Sequence, residues 1–272
     1  MPLTAAFTAN PQNFSAQRAV FVIEPPGLTA GLATGVNHVL AAPVMRFNFS
    51  PYLAASPGSA LCTVTNAGMP PNSQPCYFLP YLPDGATTMT LAAGANYFFT
   101  SQMTGCSVQV FGPAATPTVT HSNAKTAFMG YGGGGGLGGA TAAAQIAINA
   151  MMPPVPMGQM GTTVTRLTMS AAVTGGNLAN ARAGYGLQAG YRMKELAAVT
   201  SVVHGAAREE TGMFVYGVRG GGGNWEFFRS VTMHVRGRQK TGNTYMGFIK
   251  VRVTNRTIDD DVVLGGSPRF WP

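Results

Sequence analysis

Two residues of this chain have the types and spacing for covalent chemistry. Cys106 and His121 stand fifteen residues apart within FFTSQMTGCSVQVFGPAATPTVTHSN, residues 98–123. A thiol that an imidazole can deprotonate is an activated nucleophile. Cys106 follows Thr104-Gly105 and precedes an apolar run of Val108, Val110 and Phe111, while His121 closes a second β-prone run, Thr118-Val119-Thr120. A turn at Gly112-Pro113 between the two runs predicts a strand–turn–strand unit that sets the thiol and the imidazole on neighbouring positions of one sheet. Gly105 lets the backbone approach closely or take positive φ beside the thiol, leaving room for a substrate carbonyl. The Cys106 amide and a neighbour then form a candidate oxyanion hole. Asn123 lies two residues past His121, on the same strand face, and is a candidate orienter of the imidazole. A backbone carbonyl near Thr100 is another. The ordinary alternative is a small buried thiol beside a glycine and a structurally satisfied strand histidine.

The elements that must position this pair are predominantly β. Period-two alternation and β-prone composition predict strands over 18–24, 44–49, 87–91, 97–102, 107–111 and 118–122. The last four, separated by Ala93-Gly94-Ala95, Thr104-Gly105 and Gly112-Pro113, read as a meander or mixed-sheet core that contains the pair. Residues 1–17 are polar and aperiodic and read as a mobile arm or extended surface strand. Residues 62–83 carry Pro70, Pro71, Pro75, Pro80 and Pro83, which predicts a long ordered loop. GYGGGGGLGG at 130–139 lacks the spacing and the lysine of a phosphate-cradling loop and reads as a flexible connection. Helices are expected over 140–152, ending at Pro153-Pro154, and over 180–199 with Asn180 as N-cap. A strand is expected from 162 to 169. A Gly loop at 220–223 joins strands 213–218 and 225–235, and a last strand covers 248–254. Asp259-Asp260-Asp261 reads as an acidic turn. With 272 residues, no internal repeat and no firm boundary, the expectation is one catalytic domain spanning 1–272.

Composition narrows the function classes. Charged residues are 10% of the chain, with 36 glycines and 19 prolines, which suits a loop-rich β protein with short helices. The net charge of +8 would attract nucleic acid, an anionic membrane or an acidic protein partner, but no nucleic-acid-binding motif accompanies it, so specific nucleic-acid binding is not expected. No run of 18 apolar residues predicts a transmembrane helix. The N-terminal residues lack a basic region followed by an apolar one, so a Sec-type signal peptide is not expected. Of three cysteines, Cys62 and Cys76 flank a Pro/Asn/Ser-rich segment and read equally as a disulfide or as two buried thiols; Cys106 is left over either way. No clustered His/Cys spacing supports a metal site, and no cofactor is expected. His38, His204 and His234 have no telling neighbours and read as structural or surface residues.

The element Met103-Thr104-Gly105-Cys106 resembles the (L)SGC motif of the glutamine deamidase toxins, a family that includes cytotoxic necrotizing factor, dermonecrotic toxin and Burkholderia lethal factor. The fifteen-residue gap from Cys106 to His121 is similar to the cysteine–histidine spacing of the first two. The resemblance is confined to residues 98–123, and Met103 and Thr104 stand where Leu and Ser are usual. It implies an α+β, mostly β fold: a β-sandwich of mixed sheets with flanking helices, like the catalytic domain of cytotoxic necrotizing factor. It also implies a Cys–His dyad that deamidates, or transglutaminates, a glutamine of a host protein through a thioester. Cys106 would be the nucleophile and His121 the general base and acid, with Thr100 supplying a backbone carbonyl. A GTPase or a translation factor is the substrate class within the resembling family. A monomer, translocated without a Sec signal and acting in the host cytosol, completes that expectation. The readings set against it are a non-enzymatic β-rich surface or assembly protein, and a cysteine peptidase or acyltransferase using the same dyad.

Overall fold

The computed structural model describes residues 2–53, 56–66, 70–103, 106–123, 146–147, 149–164, 201–204, 207–241, 254–264 and 267–272. Two short helices, α1 (Leu3–Ala9) and α2 (Pro11–Gln17), open the chain. Strands β1 (Ala19–Ile23), β2 (Asn37–Val39), β3 (Met45–Leu53), β4 (Ser56–Thr65) and β5 (Gln74–Leu79) follow. Next come β6 (Ala86–Thr90), β7 (Tyr97–Thr100), β8 (Ser107–Phe111), β9 (Thr118–Ser122) and β10 (Gly161–Val164). The remaining strands are β11 (Ser201–His204), β12 (Ala207–Arg219), β13 (Trp225–Thr241), β14 (Thr254–Leu264) and β15 (Arg269–Trp271).

These strands form two mixed sheets. The larger has ten strands in the order β1-β4-β3-β5-β7-β12-β13-β14, with β11 on β12 and β15 on β13. The smaller runs β10-β8-β9-β6-β2. Strict alternation explains how the larger sheet is buried on both faces. On β5, Tyr77 and Leu79 point to one core while Cys76 and Phe78 point to the other; on β12, Met213 and Val215 oppose Phe214 and Tyr216 in the same way. The first core lies between the sheets, where Phe98, Trp225 and Phe227 meet Met89, Val108, Val110 and Val119 of the smaller sheet. The second core is covered by Phe7 and Phe14 from α1 and α2. The layers are therefore helices, large sheet, small sheet.

Several expectations change. Residues 1–17 are not an arm: Asn10 caps α2 through the Asn13 amide at 3.0 Å, and Phe7 is fully buried among aromatic rings. Their apolar residues sit at irregular intervals because each helix has only two turns, which hides any helical period. The segment 62–83 is not one loop but holds the end of β4 and all of β5. Pro75 is tolerated there because β5 pairs with β3 over Gln74, Pro75 and Cys76 and with β7 only from Tyr77 onward, so the missing N–H falls where one side of the strand has no ladder. Strand β7 leaves the expected meander for the larger sheet, running parallel to β5, and β6 pairs with β9 instead. Asp259, Asp260 and Asp261 are not a turn; they lie on β14 opposite Arg236, Val235 and His234.

The predicted strands at 107–111 and 118–122 coincide with β8 and β9. The Gly loop at 220–223 is a hairpin turn, closed by the Gly220 amide on the Asn224 carbonyl at 2.9 Å. Within the predicted helix 140–152, residues 146–147 and 149–151 are helical. The glycine run 130–139, the helix 180–199 and most of the strand 248–254 fall outside the described residues. Cys62 and Cys76 are free and buried. Strand β3 runs between theirs, so about two strand spacings, roughly 9–10 Å, separate the backbones, more than a disulfide spans.

Candidate active site

The β8–β9 ladder sets where the two candidate side chains lie. Its register sets Ser107 opposite Ser122 and Val108 opposite His121. Continued by one residue, it puts Cys106 opposite Asn123, with His121 on the diagonal, about 7–8 Å away by backbone geometry. Cys106, Val108, His121 and Asn123 thus share one face, the one turned to the inter-sheet core. The turn that allows this uses Gly112 at φ +96°, a conformation glycine adopts without strain.

The side chains follow the register. The Asn123 carboxamide donates from Nδ2 to Cys106 Sγ at 3.2 Å. Its Oδ1 accepts from the Tyr81 hydroxyl at 3.2 Å and, at 3.5 Å, from the Asp84 amide. The Tyr81 ring lies beside the imidazole, with centroids 6.2 Å apart. Four chain segments therefore converge: the exit of β5, the entry of β6, the start of β8 and the end of β9. All lie at the same end of the smaller sheet, because β6 and β8 both run antiparallel to β9.

The loop that brings in Tyr81 is tightly held. Thr87 Oγ1 donates to the Pro80 carbonyl at 2.7 Å, and the Asn123 amide donates to the Gly85 carbonyl at 2.9 Å. Asp84 takes φ +50°, and a Cβ at Gly85 would come within 2.5 Å of Leu82 Cδ2 and 2.8 Å of its Cγ.

Cys106, His121 and Asn123 are buried, while Tyr81 and Asp84 are half-buried. Burial lowers the His121 pKa to about 4, and neither ring nitrogen makes a hydrogen bond among the described residues. The imidazole is thus neutral at pH 7, the form that can accept a proton. Burial, together with the nearby Cys106 thiol, Asp84 and Glu24, pushes Tyr81 up to about 12, so its hydroxyl remains a donor.

A stability prediction follows from His121. Its folded-state pKa of about 4 lies below the unfolded value near 6.5, so the unfolded chain binds the extra proton. Stability from this residue is complete above pH 6.5 and is lost as pH falls toward 4, by about 3 kcal/mol in all. Urea unfolding from pH 7.5 to 4 should show this loss in the wild type and a shallower one in His121→Gln. Equal slopes in the two proteins would contradict it.

The candidate residues are placed as follows. Cys106, His121 and Asn123 share one face; the Asn123 carboxamide donates to the thiol, and neither imidazole nitrogen is hydrogen-bonded among the described residues. Thr100 ends β7 on the larger sheet, fully buried, with its hydroxyl on the Ser101 carbonyl at 3.0 Å. It shares the parity of Phe98 and so faces the same inter-sheet core. Thr104 and Gly105 fall outside the described residues. Tyr81 and Asp84 escape sequence reasoning altogether: they sit between Pro80 and Gly85 at no spacing that points to Cys106. Among the described residues no group of three or more His, Cys, Asp or Glu side chains is arranged to hold a metal, and no helix is long and apolar enough to cross a membrane.

Fold and site together define a mostly β protein of two mixed sheets, with a buried thiol, imidazole and carboxamide and a half-buried phenol at one end of the smaller sheet. No protein-family model matches the chain, and no curated protein does. Among solved structures, one described as "Crystal structure of the C-terminal domain of CNFy from Yersinia pseudotuberculosis" is similar at 10% sequence identity and a TM-score of 0.32. The match covers 94% of this chain and 97% of that one. A likeness at that TM-score carries no argument by itself.

Proposed function

We propose that this chain is a cysteine-dependent protein glutamine deamidase, a single-domain toxin or effector that modifies a host protein. The observation that carries the reading is the common face of β8 and β9, with Cys106, His121 and Asn123 side by side and the Asn123 amide on the thiol sulfur at 3.2 Å. A neutral imidazole takes the thiol proton, and a hydrogen bond donated to sulfur favours the thiolate. The thiolate attacks the side-chain carbonyl carbon of glutamine. The Cys106 amide, next to Gly105 and Thr104, is the candidate donor to the resulting oxyanion. His121 returns the proton to the leaving nitrogen, ammonia departs, and a thioester forms. Water, deprotonated by His121, then attacks the thioester, giving glutamate and the free thiol; an amine in place of water gives transglutamination. Thr100 is retained as the source of a carbonyl for the imidazolium. The motif resemblance supports a GTPase or translation factor as the substrate, and the chain is taken to act as a monomer in the host cytosol after translocation without a Sec signal.

Host lysate proteins exposed to the wild type and to Cys106→Ala provide the test, read by mass spectrometry. A gain of about 1 Da at a glutamine, dependent on the thiol, is the expected result. Thiol-dependent cleavage or a new acyl mass would replace this reading with a peptidase or acyltransferase.

One observation favours a second reading, a non-enzymatic β-rich surface or assembly protein: Cys106 is only 2% exposed and His121 1%. Iodoacetamide separates the two, because an accessible thiolate reacts well below pH 8 and an inert buried thiol does not.

A further inference from the structure

We infer that Tyr81 is a positioning residue for the Cys106 thiol: its hydroxyl holds the Asn123 carboxamide in the one orientation that turns its NH₂ toward sulfur. This rests on the reading of Cys106 as a nucleophile and adds a residue that neither the motif nor the spacing identifies.

A carboxamide can flip, exchanging an acceptor oxygen for a donor NH₂ at each side. At Asn123 the choice is made by its surroundings. The Asp84 amide at 3.5 Å can only donate, so it sets Oδ1 on its side, where the Tyr81 hydroxyl donates to the same oxygen at 3.2 Å, and Nδ2 faces Cys106. The backbone beneath is pinned by the bond from the Asn123 amide to the Gly85 carbonyl. Tyr81 is itself held by the Thr87–Pro80 bond and by its ring against His121. With the loop from 80 to 85 so anchored, the hydroxyl has little freedom to leave Oδ1. Without the hydroxyl, the carboxamide loses one of its two donors and can turn its oxygen to the sulfur. A lone-pair acceptor beside sulfur disfavours the thiolate that a donor favours.

Among the described residues the titratable groups around the thiol are His121 and Tyr81, with Asp84 and Glu24 near the phenol. His121 titrates near 4 and Tyr81 near 12, so a transition between pH 6 and 10 reports Cys106.

The experiment measures iodoacetamide modification against pH, read by mass on the peptide containing Cys106. No glutamine substrate is needed. Tyr81→Phe keeps the ring and removes only the oxygen; the midpoint should move up by about half a unit or more, a roughly threefold fall in the thiolate fraction at pH 7. Asn123→Asp, nearly the same shape, places a negative oxygen beside sulfur and should move it further. In an Asn123→Ala background Tyr81→Phe should add nothing, because the phenol acts through the carboxamide. An unchanged midpoint in Tyr81→Phe overturns the inference, as does an equal shift with and without Asn123. If Tyr81→Phe does not fold, Asn123→Asp decides alone, and an unchanged midpoint there is equally fatal. The outcomes stay separate from those of the deamidase reading. A midpoint that moves in a protein with no deamidase activity sinks the function and spares the positioning role. A fixed midpoint in an active deamidase does the opposite.

Discussion

Cys106→Ala is expected to lower deamidation by on the order of 10⁴-fold or more, since nothing else in the cluster can form the thioester. His121→Ala should fall nearly as far, because residues acting as one unit are not additive and the double variant should be little worse than either single one. Cys106→Ser should behave like the alanine variant, as a hydroxyl is a far weaker nucleophile than a thiol in the same place. The fold should survive. Cys106 occupies the margin of the inter-sheet core, and loss of one sulfur there should cost about 1 kcal/mol. Purified Cys106→Ala that still deamidates would end the proposal outright, and matched urea midpoints would show that any loss is chemical.

The largest effect on stability is expected far from the thiol, at Phe7. This ring is fully buried and lies 4.7–5.8 Å from the centroids of Phe14, Phe47, Phe49, Tyr97, Phe99 and Tyr216. Truncation to alanine leaves a void that five rings on a sheet and one on α2 cannot close, so the cost should be about 3–5 kcal/mol. Phe7→Leu refills most of the volume and should cost about 1.5 kcal/mol or less. Because the cavity opens on the helix side of the large sheet, folded Phe7→Ala should retain the Cys106 alkylation profile of the wild type. Denaturant titration of the two variants checks the order. A loss below about 1 kcal/mol for the alanine would mean that α1 is not seated as described.

The strands around the chemistry were legible because they are short, alternating and bounded by turn residues. Val108 and Val110 against Val119 announce a hairpin, and Gly112 marks where it reverses. What was not legible depends on partners distant in sequence. Nothing local shows that Tyr97–Thr100 pairs with β5 and β12 instead of β6, since one partner lies a strand further back in the chain and the other more than a hundred positions ahead. The prolines of 62–83 misled because a proline's cost depends on whether a neighbour strand needs its N–H. At the site, types and spacing pointed to Cys106, His121 and Asn123. They did not reveal that the carboxamide serves the sulfur, because that follows from Tyr81, which arrives on a separate loop.

The seating of α1 and α2 also bears on how the chain reaches its native state. Tyr216 donates to the Pro11 carbonyl at 3.3 Å, Ser230 to the Ser15 carbonyl at 2.9 Å, and Gln12 to the Ser267 carbonyl at 3.0 Å. The first seventeen residues are therefore fastened to β12, β13 and the segment before β15, all synthesised two hundred or more residues later. No N-terminal fragment can close the aromatic core, and the loop entropy of these contacts must be met before they contribute. Folding dominated by such distant pairings is slow, on the order of milliseconds to seconds or longer. Until β12 and β13 arrive, the core around Phe7 and Phe14 lacks Phe214, Tyr216 and Phe228 and stays open on that side. In that interval the nascent chain exposes the very surface that later makes it stable.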